Sequence, residues 1–118
     1  MKNQVPVAIR INSNLKQSSD EVFRRLGMNL STGIKLCLSQ MVLYQGLPFE
    51  LSVVEDSFSF SEKKTLSIVV KIDEEIKKKC VELSNAAGLN LSLVINLYLV
   101  QVVHKNGIPF TVISNERV

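Results

Sequence analysis

Cysteine and histidine are scarce, with two of the first and one of the second in 118 residues. Two thiols cannot build a disulfide framework, and no His, Cys, Asp or Glu grouping has the spacing of a metal site. Cys37 and Cys80 sit among apolar neighbours in helical segments and are expected to be buried free thiols of a cytosolic protein. The lone His104 stands beside Lys105 at a helix end, where a cation suits the helix dipole. No nucleophile–base pair is visible, so an enzyme is not expected, and no cofactor is implied. Long apolar runs are missing as well. Lys35 and Gln40 interrupt one candidate span, Asn96 and Gln101 the other, and the start carries no apolar signal stretch. The expectation is a cytoplasmic chain without a membrane segment. A strong charge of one sign is also lacking. The net charge is +3, with the excess of lysine and arginine in the first half. That mild surplus is compatible with a polyanion partner and does not require one.

What the chain does have is an internal repeat. Val5 to Leu51 aligns with Leu66 to Val112 at a constant shift of about 61 residues, without a gap, and about a third of the positions are identical. Gly27 falls on Gly88 and Asn29-Leu30-Ser31 on Asn90-Leu91-Ser92. Gly46, Pro48 and Phe49 fall on Gly107, Pro109 and Phe110. Helical periodicity alone matches apolar positions, but it does not match Gly, Pro, Asn and Ser in one register. The two cysteines are not equivalent under this alignment. The division is a first repeat over 1–51, a linker over 52–64 and a second repeat over 65–118. Each half is near the size at which a small core fails to offset chain entropy, so the repeats are expected to share one core.

Each repeat opens with an alternating strand. Val5, Val7, Ile9 and Ile11, or Leu66, Ile68, Val70 and Ile72, form its apolar face. Pro6, Ala8 and Arg10, or Ser67, Val69 and Lys71, form the other. Asn12 and Asp73 are N-caps for a first helix over about Ser13–Leu26 or Glu74–Ala87, stopped by Gly27 or Gly88. Its apolar stripe is Leu15, Val22, Phe23 and Leu26, or Ile76, Cys80, Leu83 and Ala87. Ser31 and Ser92 are the expected N-caps of a second helix that runs to about Gln45 or Asn106 and is stopped by Gly46 or Gly107. Leu93 to Val103 is apolar nearly all round and has strand propensity, but its partner stretch Gly33 to Leu43 reads as helix. Such a helix must be buried on most sides.

Strand, helix, helix, twice: a single short strand cannot stand alone. The fold expected is therefore mostly α with a two-stranded antiparallel ribbon, two β-α-α units closing into a single-chain pseudo-dimer. The ribbon's outer face fits the major groove of double-stranded DNA. Arg10 could take guanine O6 and N7 in a bidentate grip, Lys71 could donate as a point charge, Ser67 serves several bases, and Ala8 and Val69 could touch a thymine methyl. The starts of the second helices, at Ser31-Thr32 and Ser92, would hold phosphates.

Both halves resemble the RelB/DinJ family of ribbon-helix-helix antitoxins. The residues that carry this are Val7-Ala8-Ile9-Arg10-Ile11-Asn12, Leu26-Gly27-Met28-Asn29-Leu30-Ser31 and Gly46-Leu47-Pro48-Phe49. In the second half they are Val70-Lys71-Ile72-Asp73, Ala87-Gly88-Leu89-Asn90-Leu91-Ser92 and Gly107-Ile108-Pro109-Phe110. The resemblance implies a dimeric DNA-binding fold, a repressor of its own toxin–antitoxin operon, a protein toxin as partner, and a prokaryotic, phage or plasmid origin. The chain departs from the pattern in being duplicated. It also departs in the stretch after the second repeat, where the family's toxin-wrapping extension is reduced to Ser114-Asn115-Glu116-Arg117-Val118, which leaves toxin capture to the linker with Phe58 and Phe60. A second function class is therefore kept open, a degenerate antitoxin acting as a protein-binding module that grips and neutralises a toxin or another protein through the apolar second helix and the Phe58/Phe60 linker. Homo-oligomers stay open too, either paired pseudo-dimers on adjacent sites or a dimer that exchanges repeats.

Overall fold

A computed structural model of the chain describes residues 3–51, 64 and 66–114. Phe58, Phe60 and the residues after Ser114 lie outside them. The order of elements is β1 (Gln4–Ile11), α1 (Ser13–Arg25), α2 (Leu30–Tyr44), β2 (Leu66–Asp73), α3 (Glu74–Ala86) and α4 (Leu91–Lys105). The β-α-α unit thus occurs twice, and the protein is mostly helical.

The strands β1 and β2 pair antiparallel over their full length, Gln4 opposite Asp73 and Ile11 opposite Leu66. The register centres on Ala8 opposite Val69, which are repeat-equivalent residues, so a pseudo-twofold axis passes between them. Alternation decides which side is buried. Val7, Ile9, Ile11, Val70 and Ile72 face the core, Val5 and Ile68 are half-buried, and Leu66 at the ribbon's end is exposed although its face is apolar. The Asn12 carboxamide accepts from the Asn14 and Leu15 amides, and the Asp73 carboxylate from those of Glu75 and Ile76, as N-caps should. Gly27 and Gly88 take φ of +84° and +81°, and the next amides, Met28 and Leu89, return to Phe23 O and Ser84 O at 2.9 Å. This left-handed closure is open to glycine without steric cost.

The second helices differ from expectation at both ends. They start one residue before Ser31 and Ser92, and the caps are Asn29 and Asn90, whose side chains accept from Thr32 N and Leu93 N at 2.8 and 2.9 Å. They end in left-handed residues Gln45 and Asn106 rather than in the glycines that follow. Leu26 also departs from the expected stripe. It caps α1 and points outward, 47% exposed, while Ser19 takes a buried place by donating to Leu15 O at 2.6 Å.

Across the repeats α1 packs on α4 and α2 on α3, more extensively than either does on the other helix of its own unit. One core results, drawn from both repeats: Ile9, Phe23, Ile34 and Leu38 from the first, and Ile95, Tyr98, Leu99 and Val102 from the second, are among its buried members. The stretch Leu93 to Val103 is helix, as the repeat argued against its strand propensity, because α4 is enclosed on most sides. Cys37 and Cys80 are buried and free. Burial pushes the Cys37 thiol well above its ordinary range and Cys80 up to about 12, so both stay protonated and inert. Among the described residues no single helix is long and apolar enough to cross a membrane; α3 and α4 reach that length only as a pair bent by 86°.

Candidate nucleic-acid interface

Burying one face of the ribbon leaves the other to solvent. Pro6, Ala8 and Arg10 of β1 and Ser67, Val69 and Lys71 of β2 are all exposed, Val69 by 59%. Register sets their arrangement. Ala8 and Val69 stand together at the centre, Arg10 lies opposite Ser67 toward one end, and Lys71 lies opposite Pro6 toward the other. The face is therefore an apolar middle with one cation on each flank, carried on strands whose other face is buried in the core. Arg10 Nη2 donates to Lys64 O at 2.7 Å, which orients the guanidinium, and Lys77 Nζ donates to Pro6 O at 2.8 Å, which brings a third cation to the Lys71 end. From behind, Asn96 Nδ2 donates to Arg10 O at 2.9 Å and ties β1 to the second turn of α4.

The helix starts are the other half of the candidate surface. Ser31 and Ser92 are half-buried and Thr32 is exposed. They occupy the first turns of α2 and α4, not the cap positions. At α2 a shallow hollow of about 340 Å³ lies between Lys16, Asp20, Arg24, Asn29, Leu30 and Ser31 on one side and Ile68 to Val70 of the ribbon on the other, so this helix start adjoins the ribbon.

Sequence reasoning missed one residue here. Asp20 Oδ1 accepts from Leu30 N at 3.1 Å, and its Oδ2 accepts from Arg24 Nε at 2.8 Å. A carboxylate therefore already sits on the positive end of α2. Its contact with Asp20 raises the pKa of the Arg24 guanidinium. The equivalent of Asp20 in the second repeat is Val81, and that of Arg24 is Asn85. The signal was present in the aligned repeats, as an acid in one copy and an apolar residue in the other, but its meaning depends on Asp20 reaching Leu30, which the alignment does not reveal.

No curated protein and no solved structure matches the chain. The family model described as RelB antitoxin matches it twice, over residues 4–62 and 65–116. The first match runs on past α2 through most of what reads as a linker, so the joint between the repeats is itself part of the family pattern. Two successive matches that together span nearly all of the sequence, over the two β-α-α units described above, establish that the chain belongs to the RelB antitoxin family, a non-enzymatic regulatory family.

Proposed function

We propose that the chain is a sequence-specific DNA-binding regulator, a repressor of its own toxin–antitoxin operon, that sets its two-stranded ribbon in the major groove. It works as a single-chain pseudo-dimer, with repeats at 1–51 and 65–118 around one core and residues 52–64 joining them. The observation that carries this is the ribbon's solvent face, an apolar pair at the axis with Arg10 and Lys71 on opposite flanks. In this reading Ala8 and Val69 meet thymine methyls at the centre, Arg10 and Lys71 take guanine acceptors on either side, and Ser67 hydrogen-bonds beside Arg10. Because Arg10 faces Ser67 while Lys71 faces Pro6, the site it prefers is not a perfect palindrome. Ser31, Thr32 and Ser92 hold phosphates through the first turns of α2 and α4. The two grips are unequal, since Asp20 repels a phosphate at α2 and Val81 does not at α4.

A second reading, capture of a protein toxin, is favoured by the reach of the first family match through residue 62 and by the exposed Leu51, Val112 and Ile113 that follow the two Pro-Phe segments. The two activities are compatible in one molecule.

Fluorescence anisotropy on DNA from upstream of its own gene, titrated at several salt concentrations beside scrambled DNA, tests the repressor reading. Selective binding is expected, with log affinity falling by about 0.9 per phosphate contact for each tenfold rise in salt. An Asp20→Asn chain keeps an acceptor for Leu30 N and loses the charge. It is expected to bind several-fold more tightly, with a slope steeper by up to about one phosphate. No DNA binding even at low salt would leave protein capture as the function; unchanged affinity for Asp20→Asn would mean that α2 does not face the backbone.

A further inference from the structure

The two repeats share an architecture but contribute different side chains to their common core. Phe23 is fully buried on α1, and its ring lies against the backbone of Gly33 in α2, so closely that any Cβ at position 33 would collide with it. The equivalent residues in the second repeat are Ser84 and Val94. The large side chain has moved from the first helix to the second. Ser84 is buried, and its hydroxyl has no partner among the described residues, a cost that a packed apolar group would not carry.

A second exchange of this kind sits near the axis. Tyr98 of α4 is fully buried and its hydroxyl donates to Gly33 O at 2.8 Å, across the repeats. Its ring collects the aromatic residues of both units, with centroids at 6.2 Å from Phe23, 6.1 Å from Phe49 and 5.9 Å from Phe110. The residue equivalent to Tyr98 is Cys37, which is also fully buried; burial first, and the nearby Cys37 second, push the Tyr98 phenol's pKa upward. A third pair is Ser19 and Cys80. The Ser19 hydroxyl bonds within its own helix, whereas the Cys80 thiol donates across the repeats to Leu38 O at 3.1 Å.

We infer that these residues form a pairing code, by which the first repeat accepts only the second as its partner and neither accepts a copy of itself. Two first repeats would place two cysteines where one cysteine and one tyrosine now fit. They would leave a void between Phe23, Phe49 and their copies, and the Gly33 carbonyl would lose the bond from the Tyr98 hydroxyl. Two second repeats would place two tyrosines there, with no glycine to receive either. Protein interiors are close-packed, so both the void and the overfilling are destabilising. The consequence for the outer face is that every assembled ribbon, within one chain or between chains that exchange repeats, carries one Arg10 strand and one Lys71 strand. Its asymmetry is permanent rather than one arrangement among three.

The test is made on the full chain. One variant gives the first repeat the core of the second, by Ser19→Cys, Phe23→Ser, Gly33→Val and Cys37→Tyr. The other adds the reciprocal changes Cys80→Ser, Ser84→Phe, Val94→Gly and Tyr98→Cys, so that the two cores trade places with composition unchanged. In thermal and urea unfolding, the four-residue variant is expected to lose its cooperative transition and the eight-residue variant to regain one near the natural midpoint. A four-residue variant that unfolds at the natural midpoint, or an eight-residue variant as damaged as the four, would overturn the pairing code. Neither result depends on DNA binding.

Discussion

Replacing Arg10 and Lys71 together with alanine is expected to erase the protein's preference for its own operator while leaving it folded and able to bind DNA weakly. Both side chains are exposed and contribute nothing to the core, so the thermal midpoint should move by only a few degrees. A good contact from a cation to guanine acceptors is worth about 1–3 kcal/mol of discrimination, so the loss of two makes the double variant roughly thirtyfold or more less selective. Attraction to phosphates persists through the helix starts and the remaining lysines. The single variants separate two effects. Arg10→Ala also breaks the bond to Lys64 O, whereas among the described residues no such tie is seen for Lys71, so Lys71→Ala is the cleaner probe of readout. Competition titrations with specific and scrambled DNA read the ratio; unchanged selectivity would refute docking of the ribbon in the groove.

Ile95→Asp is expected to unfold the protein. Ile95 is fully buried in α4, and so is its repeat equivalent Ile34 in α2. The substitution removes an apolar side chain worth about 1.5–3 kcal/mol of burial. It also leaves a carboxylate that must be desolvated or protonated, a change that costs about 3–5 kcal/mol when no partner is present. A domain of this size has only about 5–15 kcal/mol in total. Val69→Asp is the control, because Val69 is exposed on the ribbon; it should keep the cooperative transition and weaken DNA binding instead. Circular dichroism during urea titration distinguishes the two, and a stable, cooperative Ile95→Asp protein would mean that α4 is not the centre of the core.

How much of this could be read from the residues depended on whether the information was local. The strands were legible because alternation of β-branched residues fixes a buried face without reference to partners. Asn12 and Asp73 were legible because the strand ends where the cap stands. α4 was legible only through the repeat, since Leu93 to Val103 has the propensity of a strand and becomes a helix by enclosure. The caps of α2 and α4 were misplaced because Asn29, Ser31 and Thr32 can all cap; the choice falls to the oxygen that reaches the third helical amide, and that is a matter of backbone geometry. Leu26 was placed in the core by its spacing, but it lies just past the last turn of α1, where the helix no longer presents it inward. On the candidate surface, the exposed faces of β1 and β2 followed from alternation, while the grip of Asp20 on Leu30 spans a turn between helices and carries no periodic signal. The exchanges of Phe23 for Ser84 and of Cys37 for Tyr98 look like drift between repeats until the helices are packed across each other.

The most direct test of a ribbon in the major groove is methylation interference with dimethyl sulfate on the operator fragment, which marks guanine N7 in the major groove and adenine N3 in the minor groove. N7 methylation is expected to block binding at guanines on both flanks of an A·T-rich centre, unequally on the two sides, with the stronger block lost in Arg10→Ala. Interference confined to adenine N3, or absent from every guanine of the site, would contradict this placement of the ribbon.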